Sequence, residues 1–99
     1  MGSGSVASGV ISRLNRGAGI YGNNSVISDV TAERNGGQGV GLAGTSLLRG
    51  ATLINNASFA LTTQSASGHR DVVMMSAGGA YSSGGGVSLG GNLCGGVPC

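Results

Sequence analysis

The feature that most constrains this chain is an internal repeat of about 20 residues. Three segments align: Val6-Ala-Ser-Gly-Val-Ile-Ser-Arg-Leu-Asn15, Val26-Ile-Ser-Asp-Val-Thr-Ala-Glu-Arg-Asn35 and Leu47-Leu-Arg-Gly-Ala-Thr-Leu-Ile-Asn-Asn56, offset by 20 and then 21 residues. After each asparagine a small-residue turn leads to a second apolar stretch, Gly17-Ala-Gly-Ile20, Gly37-Gln-Gly-Val40 and Ser58-Phe-Ala-Leu61. A unit this short buries almost nothing alone and acquires a core only by stacking on its neighbours.

The register defines columns of like residues. Val10, Val30, Ala51 and Val72 form one, Ser12, Ala32, Leu53 and Met74 a second, and Ile20, Val40, Leu61 and Val87 a third. Stacked strands lie about 4.8 Å apart, so each column is continuous. The third column assumes that the fourth coil carries Val87 and Leu89 on its second strand, after an insertion of about five residues within Gly78–Gly86. Period-two alternation in Val30-Thr-Ala-Glu-Arg34, with β-branched residues and flanking glycines, favours strand over helix. Glycine and asparagine at the corners suit the positive φ angles of sharp bends.

The expected fold is therefore all-β: a right-handed parallel β-helix of about four coils of 20–21 residues, with coils near 6–25, 26–46, 47–67 and 68–91 inside a repeat domain of 6–93. Residues 92–99 read as a C-terminal cap, and residues 1–5, Met-Gly-Ser-Gly-Ser, as an artificial lead on a trimmed or engineered chain.

Composition agrees. The 99 residues suffice for one domain, and 22 glycines with three aromatics are a poor recipe for a helical or α/β domain. An apolar fraction of 39% with net charge +2 argues against disorder. The five arginines are scattered, so there is no basic stripe for nucleic acid. No apolar run is long enough for membrane insertion, and the N-terminal residues lack the features of a secretory signal.

Ser25-Val-Ile-Ser-Asp-Val-Thr-Ala-Glu-Arg-Asn-Gly-Gly-Gln-Gly-Val40 resembles the loose coil pattern Ser-Val-x-x-(Asn)-x-x-x-x-Asn-Gly-Gly-x-Gly-Ile of the parallel β-helix repeat family, the pectate-lyase-like solenoids. The tail from Gly86 to Cys99 is similar to the C-terminal end of secreted bacterial proteins of this kind. The resemblance implies a secreted, periplasmic or cell-surface parent, of which these are the last coils. One departure is that Val10, Val30, Ala51 and Val72 stand where many such coils carry a first asparagine. The resemblance is nearly silent on activity, because the same solenoid carries lyases, hydrolases, adhesins and phage spikes.

Few residues suggest chemistry. Cys94 and Cys99 are too far apart in sequence for a Cys-x-x-Cys redox pair and lack further zinc ligands, which favours a structural disulfide, with free thiols as the alternative. Asn15, Asn35 and Asn56 share a corner and suit a structural amide ladder. His69, Arg70 and Asp71 are the nearest approach to an acid/base cluster, but adjacent strand residues face opposite ways, and a solvated coil edge is the plainer expectation. Arg49 and Arg70 stack in one column as a candidate contact for an acidic saccharide, and Arg13 and Glu33 sit one rung apart as an exposed ion pair. Asp29 and Asp71 share a column with Gly50 between them. Thr31 and Thr52 make too short a column for an ice-binding array, and Gly84-Gly-Gly86 lacks the lysine of a phosphate loop.

No metal site or cofactor is expected. The functional expectation is a non-enzymatic structural or binding module that contacts polysaccharide or another protein surface. The alternatives are a carbohydrate-active enzyme on acidic polysaccharide, or its remnant, and an engineered scaffold without activity. The first coil has no visible cap, so either homo-oligomerisation by coil-end stacking or a covering by residues 1–5 is also expected.

Overall fold

A computed structural model describes residues 4–75, 78 and 81–99. The strands are β1 (Val6–Ser8), β2 (Ile11–Arg13), β3 (Ile20–Asn23), β4 (Val26–Glu33), β5 (Val40–Ala43), β6 (Leu47–Ile54), β7 (Leu61–Thr63), β8 (Gly68–Met75), β9 (Ser82–Gly84), β10 (Val87–Ser88), β11 (Leu93–Cys94) and β12 (Val97–Pro98). No helix occurs among the described residues.

One sheet runs from β1 and β2 through β4, β6 and β8 to β10 and β11, and ends on β12; the other runs β3-β5-β7-β9. Successive coils pair in parallel throughout, and the β11–β12 hairpin is antiparallel. Strands that alternate between two sheets in chain order, each lying on its equivalent from the previous coil, make a β-solenoid of about four turns.

The columns form in the expected register. Val30, Ala51 and Val72 are successive partners, as are Ser12, Ala32, Leu53 and Met74, and Ile20, Val40 and Leu61. Ile27, Leu48, Leu53, Leu61, Val72 and Met74 are fully buried. The long strands bend at a residue in the left-handed region, and these bends stack as Gly9, Asp29, Gly50, Asp71 and Gly91, with φ of 67°, 53°, 63°, 53° and 69°. A second bend column is Leu14, Arg34 and Asn55 (φ 60°, 53°, 56°), and a third is Gly4, Asn24 and Gly44 (φ 76°, 48°, 63°). The corner beside the asparagine ladder is thus turned by the residue before each asparagine. At two of its three positions that residue is Leu14 or Arg34, side chains that adopt this conformation reluctantly.

The register differs from expectation at the end of the stack. Leu61 pairs with Ser82, 21 residues on, and Val87 pairs with Gly68 to begin a fifth rung. No insertion separates the coils, and Val87 and Leu89 lie outside the core, 52% and 55% exposed. Apolarity pointed to Val87 for the third column, but near the open end of a stack a polar Ser82 is tolerated because little core remains to cover it. Two residues of the proposed insertion, 79 and 80, lie outside the described residues.

The apolar columns are the main source of stability, and Leu53 is packed between Ala32 and Met74 with no exposure. Leu53→Ala is expected to destabilise the fold by about 2–5 kcal/mol through lost burial and a residual cavity, as read by urea unfolding.

Candidate functional site

Arg49 on β6 and Arg70 on β8 are register partners, and both are exposed. The residues before them, Leu48 and His69, are buried and also partners, so strand alternation turns both guanidinium groups outward on adjacent rungs, about 4.8 Å apart at the backbone. Two such charges repel by up to about 1 kcal/mol in water at a separation of ~4 Å, and an anion between them removes that repulsion. Ser28 lies one rung below Arg49 in the same column.

The aspartates stand at the bend beside this column without bridging to it. A Cβ placed on Gly50 would sit 2.9 Å from Asp29 Oδ1, and one on Gly91 would overlap Asp71 Oδ1, so each carboxylate folds over the bend glycine of the next rung. The ion pair present among the described residues is Arg13 Nε to Glu33 Oε1 at 3.4 Å, partly exposed and worth a few tenths of a kcal/mol.

His69, Arg70 and Asp71 do not converge. Arg70 and Asp71 are exposed, whereas His69 is buried, in contrast to the solvated edge expected for it. The reason is register: His69 continues the inward column of Ala7, Ile27 and Leu48. Its Nδ1 is buried and has no hydrogen-bond partner, and burial pushes the imidazole below the ordinary histidine value of 6.5. No group of three or more His, Cys, Asp or Glu side chains is placed to hold a metal ion among the described residues.

The asparagine corner is a continuous amide ladder. Asn15 Nδ2 donates to Asn35 Oδ1 at 3.0 Å, and Asn35 Nδ2 donates to Asn56 Oδ1 at 2.9 Å. Each acceptor oxygen also takes the backbone N–H of the preceding asparagine, at 3.2 Å in both cases. Asn56 Nδ2 ends the series on the Ala32 carbonyl at 3.1 Å. Glycine is required beside this ladder: a Cβ on Gly19 would lie 2.6 Å from Asn35 Nδ2, and one on Gly39 2.7 Å from Asn56 Nδ2.

Two further polar features, one column and one end group, escaped the sequence reading. Ser25, Ser46 and Ser67 are buried at another corner, where Ser46 Oγ accepts the Ser25 N–H at 3.0 Å and donates to the Ala43 carbonyl at 2.7 Å. Their 21-residue spacing, one residue ahead of each long strand, was the available signal. Asn92 is the other. It is buried over Val72, whose N–H donates to its Oδ1 at 3.0 Å, so it closes the apolar column of Val30, Ala51 and Val72.

Cys94 and Cys99 form a disulfide with Cα atoms 5.7 Å apart. It closes the β11–β12 hairpin, in which Cys94 pairs with Met74 below and Val97 beside it. Constraining so small a loop is worth roughly 2 kcal/mol.

The ladder's buried members matter more than its exposed end. Asn35→Ala is expected to cost about 1–3 kcal/mol in denaturant unfolding, because the buried Asn56 Oδ1 loses its side-chain donor and the bond to the Ser12 carbonyl is lost with it, and Asn15→Ala, whose amide is exposed, clearly less. No protein-family model, curated protein or solved structure matches the chain.

Proposed function

We propose that this chain is a non-enzymatic binding module that contacts acidic polysaccharide through the Arg49–Arg70 column. The observation that carries this reading is the pair of exposed guanidinium groups held in register on adjacent rungs of a rigid sheet. A stiff, regularly spaced pair of cations suits a polymer with regularly spaced carboxylates, because little ordering remains to be done on binding. The inward rotation of His69 away from Arg70 and Asp71 favours binding over acid/base cleavage.

The setting we infer is the C-terminal part of a secreted bacterial solenoid of the pectate-lyase-like kind. The repeat pattern of residues 25–40 supports that relationship, and the disulfide supports an oxidising compartment. The first coil offers a second contact. Val6, Ile11 and Leu14 are 73%, 72% and 67% exposed beside the outer strand edge, which favours self-association there.

Oligogalacturonate titrated into the protein is expected to bind, and Arg49→Ala or Arg70→Ala to weaken binding by about 5–30-fold, the loss of one charge-assisted contact. Binding unchanged by both substitutions would refute the arginine column. Cleavage of the polymer that is lost in His69→Ala would replace the module with an enzyme, and a protein that neither binds nor cleaves would be a bare scaffold. Light scattering is expected to show a species larger than the monomer that Ile11→Lys dissociates; a monomeric parent would exclude self-association through the first coil.

A further inference from the structure

We propose that the C-terminal cap is a pH-operated latch keyed by His69. The inward column that runs Ala7, Ile27 and Leu48 ends in an imidazole, 6% exposed, with Ser88 as its partner on the next rung. Its Nδ1 is shut off from solvent and from any hydrogen-bond partner, so protonation of the ring leaves a buried N–H there with no acceptor.

The main chain of the same residue fastens the cap. The His69 carbonyl accepts the Leu89 N–H at 2.8 Å and Asn92 Nδ2 at 3.3 Å. Asn92 in turn accepts the Val72 N–H through its side chain and the Cys99 N–H through its carbonyl, at 3.0 Å each, and donates to Ser88 Oγ at 2.8 Å. Displacing the imidazole therefore disturbs the residue to which β10, Asn92 and, through Asn92, the disulfide-closed hairpin are tied. Nothing comparable exists lower in the stack, where the same column is apolar.

No carboxylate is within ion-pair distance of His69 among the described residues, and the terminal carboxyl of Cys99 instead accepts Ser88 Oγ, on the next rung, at 3.1 Å. Arg49 on β6 and Arg70 on β8 are exposed and cationic, and Asp71 folds over Gly91 on the outside of the bend. The strands β7, β9, β10, β11 and β12 contain no ionisable side chain apart from the disulfide-bonded Cys94, and the Tyr81 phenol, ahead of β9, lies against Gly95.

The direction of the effect follows from linkage. Desolvation lowers the histidine's value in the closed state, while in the open state the ring titrates near its ordinary 6.5. The closed cap is thus fully favoured above 6.5, and it loses up to about tenfold in its closed-to-open ratio for each pH unit below that, down to the closed-state value. Opening would bare the upper edge of β8, a row of backbone groups able to pair with another strand.

Amide exchange, corrected for its intrinsic pH dependence, tests the latch on the intact, oxidised chain. Between about pH 7.5 and about pH 5, the protection of the Leu89 and Gly95 amides is expected to fall, by no more than about 30-fold for one proton, while that of Gly39 and Val40 in the second coil holds. His69→Leu, which extends the apolar column, and His69→Gln, which keeps a polar side chain without a titrating one, are both expected to flatten this pH dependence. A flat profile in the parent, an unchanged profile in either variant, or equal loss in the second coil would overturn the proposal. His69 is the only histidine, so its carbon resonance gives an independent reading: titration at or above 6.5 in the folded protein would also overturn it.

Discussion

Parallel strands stack rung upon rung only if the chain spends the same number of residues on each circuit. Here 20 to 21 residues separate Val6, Val26, Leu47 and Gly68, and every column in the molecule inherits its order from that regularity. The apolar interior is the first consequence: thin side chains such as Ala32, Val40 and Ala51 fill a narrow bore because each is covered by its equivalents one rung away. The second is that polar groups can be buried safely at the corners, since a donor on one rung meets its acceptor at the same position on the next. The asparagine ladder and the buried serines both use this translation.

The same regularity makes the two ends special. Along the stack each rung is satisfied by its neighbours, but the last must be finished by something that breaks the pattern. At the C-terminal end the chain does this with Asn92, an antiparallel β12 and the Cys94–Cys99 disulfide. His69 lies directly beneath this cap, where a proton gained or lost has more influence than it would on the surface. The arginine column is different in kind, because it lies on the outer face, where register arranges charges in a line without burying them.

Much of this was legible because repeats expose their own alignment. The stacking of Val30 on Ala51 and of Leu53 on Met74, the ladder from Asn15 to Asn56 and the ion pair of Arg13 with Glu33 all follow from superposing one coil on the next. The inward face of His69 was legible by the same rule, since it stands 21 residues after Leu48, but its polarity suggested an exposed edge. Val87 misled for the opposite reason: its apolarity suggested a core position, and chain length decided otherwise.

By itself the sequence determined the coil length, the strand character, the apolar columns and the pairing of like with like, because these depend on spacing that is local and repeated. Only the tertiary structure decided which residues take the left-handed bends, how the stack is closed and which side chains are left without a partner. Leu14 and Arg34 are turned by the corner they must round rather than by their own preference, and Asn92 is buried because it sits over Val72 with its carbonyl taken by the Cys99 N–H of the closing hairpin. Periodicity specifies the interior of a stack, whereas its ends and corners are settled by what the assembled coils leave exposed.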